Sequence, residues 1–209
     1  MRLILASASP RRAELLRAAG YTFGVAAVSV DERVHDGEAA AAYVRRLAAE
    51  KSAAVAAKLT QLTQVGPLDT TGRTDSDQPD RIVILAADTS VVVGGDILGK
   101  PRDDADAERM LRRLSGRRHE VMTGVSVRHG AGELGRVEVT TVEFSPLDDA
   151  DVAWYVASGE GRDKAGAYAI QGRASRFIPR IDGSYSNVVG LPVARVHELL
   201  ASLESSQSR

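Results

Sequence analysis

The apolar positions of this chain fall into short runs divided by polar punctuation, and the spacing inside each run predicts its element. Leu3-Ile4-Leu5-Ala6 reads as a short buried strand. Ser7-Ala8-Ser9-Pro10 is a turn that opens a helix, with Ser9 suited to the N-cap and Pro10 to the first helical position. That helix runs from about Arg11 to Ala19, turns Leu15 and Leu16 inward and stops at Gly20. A strand is expected around Tyr21–Val30, followed by the acidic turn Asp31-Glu32. From Glu38 to about Leu59 the chain is alanine-rich and helical by propensity, with Tyr43, Val44, Leu47 and Val55 as its apolar stripe. Between about Thr60 and Asp80 no hydrophobic period survives, so this stretch reads as a polar, mobile surface loop with no chemistry assigned to it.

The second half resumes with Ile82-Val83-Ile84-Leu85-Ala86-Ala87, a run without polar alternation that suits a strand buried on both faces and ending at Asp88-Thr89. Val91–Val93 continue extended before the turn Gly94-Gly95-Asp96. A helix from about Asp104 to Leu114 carries Ala107, Met110, Leu111 and Leu114 on one face. Glu120–Arg128 and Arg136–Phe144 form a hairpin about Gly130–Gly135. Asp148 or Asp149 caps a helix through Val156, ending near Gly159. A glycine-punctuated loop from Asp163 to Gly172, a short strand Arg176–Ile181 and an amphipathic helix from Pro192 to about Leu203 complete the chain. Helices alternating with strands, plus one antiparallel hairpin, predict an α/β fold with a mixed sheet.

Composition narrows the function classes. At 209 residues the chain can bury the core of one α/β domain. A net charge of −1 gives no overall basic field, so neither a nucleic-acid polymer nor a membrane surface is an expected partner. Cysteine is absent, which removes disulfides, thiolate metal sites and a cysteine nucleophile. Four scattered histidines lack metal-site spacing, and the first apolar run is too short for a signal segment or a membrane span. A cytoplasmic protein is expected.

Any phosphate must then be held by a local cluster, and the first helix offers one. Arg11 and Arg12 fall in its first turn, at the positive end of the helix dipole, where each cation costs roughly 0.3–1 kcal/mol unless an anion sits beside it. The Asp104 helix has the ordinary order, acids first and Arg112-Arg113 last. A strand, the Ser9 hydroxyl, free backbone N–H groups and two guanidinium forks together suit a polyphosphate, although a plain cap with solvated arginines would have the same sequence. Gly94-Gly95-Asp96-Ile97-Leu98-Gly99-Lys100-Pro101 nearly matches a Walker A loop, but Pro101 stands where a hydroxyl must reach magnesium and the helix begins too late. Lys100 remains as a point charge for phosphate, or as a solvated lysine.

Asp88 closes a buried strand, where open α/β sheets place their ligands, and the alternative is a turn-capping aspartate. Glu32 follows a strand and is otherwise an exposed acid; Lys51, on the alanine-rich helix, is otherwise a solvated cation. Beside a polyphosphate, Asp88 and Glu32 would repel it unless a divalent cation joined them. Arginine, lysine, metal and carboxylate then make a set for phosphoanhydride hydrolysis. In the Asp163–Gly172 loop, small residues allow close backbone approach and Gln171 can meet a carbonyl and an imide N–H together, while a tight structural loop is the plainer reading.

In combination these segments resemble the Maf family of nucleoside triphosphate pyrophosphatases. The likeness rests on Ser7-Ala8-Ser9-Pro10-Arg11-Arg12, the Glu32 turn, Arg46-Leu47-Ala48-Ala49-Glu50-Lys51, Ala87-Asp88-Thr89, Gly99-Lys100-Pro101, Leu114-Ser115-Gly116 with His119, Asp163 to Gly172, and Gly183-Ser184-Tyr185 through Gly190-Leu191-Pro192. They stand in family order across nearly the whole chain. The resemblance implies a single two-lobed α/β domain over 1–209, an elongated sheet around a nucleotide cleft, a cytoplasmic location, a divalent cation (Mg²⁺ or Mn²⁺) and a homodimer. It implies hydrolysis of a nucleoside triphosphate to the monophosphate and pyrophosphate, which would clear non-standard or excess pyrimidine nucleotides. By the same likeness Asp88 accepts the proton of the attacking water, Arg12, Lys51, Lys100 and Lys164 hold phosphate, and Glu32 with Asp88 places the metal. Arg11, Thr89 and Gln171 match the branch that prefers dTTP and UTP. The Thr60–Asp80 segment is longer than the family pattern needs. A nucleotide-binding regulator of septum formation that does not depend on turnover is the alternative.

Overall fold

The computed structural model describes residues 1–65 and 82–207, so most of the segment read as a surface loop lies outside the described residues. The first strand, β1 (Arg2–Leu5), leads through the Ser7–Ser9 turn into α1 (Pro10–Ala18). Pro10 lacks an N–H and cannot extend a ladder, which is why the chain turns here. The long strand expected around Tyr21–Val30 shrinks to β2 (Phe23–Val25), with the residues up to Val30 irregular. Its polar alternation is weak and Gly24 offers no side chain to pack. Helix α2 (Ala40–Val65) runs past Leu59, because the first helix breakers in the sequence are Gly66-Pro67.

Strand β3 (Ile82–Val93) is one continuous strand, so Asp88 sits in its middle and not at its end. Its hairpin partner β4 (Asp96–Leu98) is reached through Gly94 (φ 59°) and Gly95 (φ 85°), the two left-handed residues a tight primed turn requires. The near-Walker segment is therefore a β-hairpin, with its glycines committed to the turn. Then come α3 (Asp104–Leu114), β5 (Arg118–His129), β6 (Gly132–Glu143) and α4 (Asp149–Ala157). The β5–β6 hairpin is tighter than its glycines suggest, pairing His129 with Gly132. The expected Arg176–Ile181 strand is mostly a 3₁₀ turn over Arg173–Phe177, leaving β7 (Arg180–Asp182). Helices α5 (Tyr185–Val189) and α6 (Val193–Gln207) end the fold.

Among the described residues, seven strands form one mixed sheet in the order β2-β1-β3-β5-β6-β7, with β4 also on β3. Strand β1 pairs in parallel with Ile82–Leu85, and β4 pairs antiparallel with Val91–Val93. Between them, from Ala86 to Ser90, one edge of β3 has no strand beside it among the described residues, while β5 lines the other edge from Val83 to Val92. The gap divides two cores. Leu3, Leu5, Leu16, Leu85, Leu191 and Val196 pack about one half of β3, and Val91, Leu98, Leu111, Leu114, Phe144 and Tyr155 about the other.

Side chains alternate along β3. Ile84 and Ala86 pack with Val55 of α2, whereas Leu85 and Ala87 pack with Leu16 of α1. Asp88 follows the first set and Thr89 the second. Helix α2 is seated by a missing side chain: opposite Asp88 in the ladder stands Gly124, where a Cβ would run into the Val44 carbonyl and lie 2.7 Å from the Arg45 nitrogen. Gly124→Ala must therefore lift α2 off the sheet. We expect it to cost about 1–3 kcal/mol, read as a fall of several degrees in the thermal midpoint; an unchanged melt would show the contact to be compliant.

Candidate active site

The gap in the sheet opens into a cavity of about 400 Å³, a size that suits a small-molecule site. Ser9, Arg11 and Arg12 reach it from α1, Glu32 from the loop after β2, and Lys51 from α2. Asp88 and Thr89 supply its floor, Lys100 follows β4, and Lys164 and Gln171 belong to the opposite loop. All ten sequence-predicted residues therefore meet around one cleft, although they span most of the chain. Its walls carry five cations (Arg11, Arg12, Lys51, Lys100, Lys164) against three carboxylates (Glu32, Asp88, Asp163), an excess of positive charge within a chain of net charge −1.

Lys51 is the hub of the acidic side. Its Nζ donates to Asp88 Oδ1 at 2.6 Å and to Glu32 Oε1 at 2.7 Å, so both carboxylates face one point. Asp88 is buried. Burial alone would raise the Glu32 carboxyl, but the Lys51 hydrogen bond and charge, with Lys100 and Arg12 behind, hold it below its usual value. The loop carrying Glu32 is pinned by Tyr43, whose hydroxyl donates to the Glu32 carbonyl at 2.8 Å. Burial, then the charges of Asp88 and Glu32, push the Tyr43 phenol up to about 12. Sequence reasoning placed Tyr43 only in an apolar stripe, and no spacing rule marks its hydroxyl as an anchor.

Helix α1 has no acid in its first turn, and Ser9 occupies the N-cap without a capping bond from its side chain. The helix therefore presents uncompensated positive charge to the cleft, unlike α3 and α4, which open with Asp103 and Asp148 as bonded caps and further aspartates behind. Arg12 is held from behind: Nε donates to the Gly190 carbonyl at 2.8 Å, Nη1 to Ser7 Oγ at 3.3 Å and Nη2 to Thr89 Oγ1 at 3.0 Å. Burial lowers its guanidinium below the ordinary value, the Asp88 charge opposes that, and Arg11 adds to the lowering. Its bonded partners are a carbonyl and two hydroxyls, none of them an anion. Lys100 is exposed and has no carboxylate partner among the described residues.

The opposite wall is also built, not loose. Gly166 (φ 69°) and Ala167 (φ 60°) are successive left-handed residues that fold the loop onto Val91. The Gly166 amide donates to the Gly99 carbonyl at 3.0 Å, joining the Lys100 and Lys164 segments. Lys164 pairs with Asp163 and donates to the Glu160 carbonyl at 3.1 Å, and Arg11 stands 3.9 Å from Asp163. Gln171 lies exposed at the rim. Behind it, Tyr155 accepts from the Ala169 amide at 3.0 Å, and Tyr168 meets His119 Nε2 at 2.8 Å.

The Maf-like protein family matches residues 2–203. The chain belongs to that family. Among its relatives, a protein of Anaeromyxobacter sp. strain Fw109-5 is 50% identical over 204 residues, covering 95% of this chain and 88% of that one. A Geobacter sulfurreducens protein is 49% identical over 199 residues, 94% of each chain, and one from Symbiobacterium thermophilum is 48% identical over 198 residues, 95% of this chain and 92% of its own. Each bears the name dTTP/UTP pyrophosphatase. In this Maf-like chain no helix among the described residues is long and apolar enough to cross a membrane.

Buried His119 carries a pH consequence. Desolvation pushes it down from 6.5 to about 4. Unfolded, it binds a proton from about pH 6.5 downward, so its contribution to stability is full above that pH and is lost as pH falls to about 4. The difference amounts to about 3 kcal/mol. Urea melts of the parent and His119→Phe across this window should show a shallower pH slope in the variant; parallel slopes would mean that the imidazole protonates without cost.

Proposed function

We propose that this Maf-like protein hydrolyses nucleoside triphosphates, dTTP and UTP foremost, to the nucleoside monophosphate and pyrophosphate with a divalent cation. The observation that carries the reading is the buried Asp88 carboxylate facing a cleft whose other charges are mostly cationic. The names of its relatives support the substrate class.

Among the described residues no three histidine, cysteine or acidic side chains cluster as a metal cage. Two carboxylates converging on one ammonium nevertheless fit Mg²⁺ or Mn²⁺, which are commonly held by one or two carboxylates, water and substrate phosphates. Glu32 and Asp88 would hold the ion, and when bound it neutralises charge on the triphosphate.

The protein's own groups do the rest. Arg12 and Lys100 bind phosphate oxygens, Lys51 balances the acids, and Lys164 and Arg11 close the opposite side. Asp88 Oδ1 is engaged by Lys51, which leaves Oδ2 to orient a water. The water oxygen bonds to the α-phosphorus, its proton passes to Asp88, and the bond to the β-phosphate bridging oxygen breaks to release pyrophosphate. At the rim, the Gln171 amide offers one donor and one acceptor to the edge of a thymine or uracil.

The deciding assay offers a nucleotide panel with Mg²⁺, Mn²⁺ or EDTA and measures pyrophosphate and orthophosphate separately. We expect dTMP and pyrophosphate from dTTP and no reaction in EDTA; dTDP and orthophosphate as the sole products would refute the reading. Asp88→Asn keeps size but cannot take the proton, so kcat should fall by about 10²-fold or more with little change in nucleotide binding. Near-parental turnover would make Asp88 structural. Gln171→Glu offers only acceptors to the base edge. It should lower kcat/KM for dTTP and UTP by about 5- to 150-fold with an intact melt, and unchanged discrimination would remove Gln171 from the site.

A further inference from the structure

Gln171 lines the cleft, yet no side-chain hydrogen bond holds it among the described residues. Its place is therefore set by the main chain on either side. Two residues before it, the Ala169 amide donates to the Tyr155 hydroxyl at 3.0 Å. Two residues after it, the Arg173 amide donates to the Glu160 carboxylate, at 3.2 Å to Oε1 and 3.0 Å to Oε2. Both acceptors come from one stretch, Tyr155 in α4 and Glu160 in the turn that follows it. Burial pushes the Tyr155 phenol up, the Ala169 amide opposes that, and the charge of Glu160 adds to the rise, so the two acceptors are neighbours.

Gly172 makes room for the second bond. Its φ of 134° lies in the left-handed region, and a Cβ there would run into Glu160 Oε1 and lie 2.8 Å from the carboxyl carbon. Glu160 has no ion pair among the described residues, so its carboxylate serves the loop and not a surface cation. The main-chain part of the same residue serves the other ligand. Its carbonyl accepts from Lys164 Nζ at 3.1 Å, a bond that does not need the carboxylate. One residue thus holds the base side of the loop by its side chain and the phosphate side by its backbone.

We infer that Glu160 is a positioning residue whose carboxylate, through the Arg173 amide, sets Gln171 against the base. This rests on the proposed nucleotide reaction, and its test separates the two. Glu160→Ala frees the Arg173 amide and leaves the carbonyl to Lys164. It should lower kcat/KM about tenfold for dTTP and UTP and little for GTP, so that the preference for pyrimidines collapses. Glu160→Gln, which keeps an oxygen acceptor for the Arg173 amide, should restore most of it. In a Gln171→Ala background Glu160→Ala should add little, because the group it positions is already gone. Calorimetric titration in EDTA, without turnover, should show dTTP binding weakened by the same factor and inorganic tripolyphosphate binding unchanged.

Equal weakening of dTTP, GTP and tripolyphosphate would make Glu160 a general prop of the loop and overturn the inference. Full additivity with Gln171→Ala would overturn it as well, and so would a parent that binds dTTP no better than GTP. Loss of that binding preference in Glu160→Ala, while the parent hydrolyses nothing, would uphold the clasp and reject the hydrolysis. If Glu160→Ala melts below assay temperature, Gly172→Ala carries the same comparisons, since its methyl group displaces the carboxylate from the Arg173 amide.

Discussion

The site depends on an unfilled strand edge. Strand β1 ends at Leu5 and β4 resumes only opposite Val91, so among the described residues the central strand is paired on one side alone from Ala86 to Ser90. Unpaired backbone in the middle of a sheet is normally a liability. Here a core packs on either side of the break, and the space where a further strand would lie is the cavity. Strand alternation then sends Asp88 to α2 and Thr89 to α1, so two adjacent residues serve opposite walls.

Charge follows from that geometry. The cleft cannot be neutral by itself, since Lys51 alone satisfies two carboxylates while Arg12 and Lys100 face open space. Two acids share one ammonium, and its hydrogen bond and charge help hold the Glu32 carboxyl below its usual value. In the proposed reaction, an arriving metal–triphosphate finds its carboxylate ligands already held by Lys51, and its phosphate partners on the other bank. The protein has little left to reorganise.

Much of this was legible in the sequence. The mixed α/β architecture, α3, and α4 with its cap follow from periodicity and turn signals, and the gathering of Arg12, Lys51, Asp88 and Lys100 about one cleft from the resemblance carried by ordered motifs. What escaped has physical causes. Strand β3 looked as if it ended at Asp88 because polar residues interrupt an apolar run, yet their partners lie across the sheet and keep it extended. The shortness of β2 and the turn at Arg173–Phe177 are tertiary outcomes that local propensity does not encode. The Tyr43 hydroxyl and the Gly190 carbonyl act through contacts made by distant segments, and a carbonyl leaves no letter in a sequence.

Gly124 has a consequence beyond packing. The main-chain approach of Val44 to Gly124, together with the packing of Val55 on Ile84 and Ala86, sets how closely α2 lies on the sheet. A single added methyl group at Gly124 would thus act as a wedge, altering the reach of the ammonium on α2 to the acid on β3 while touching neither of them.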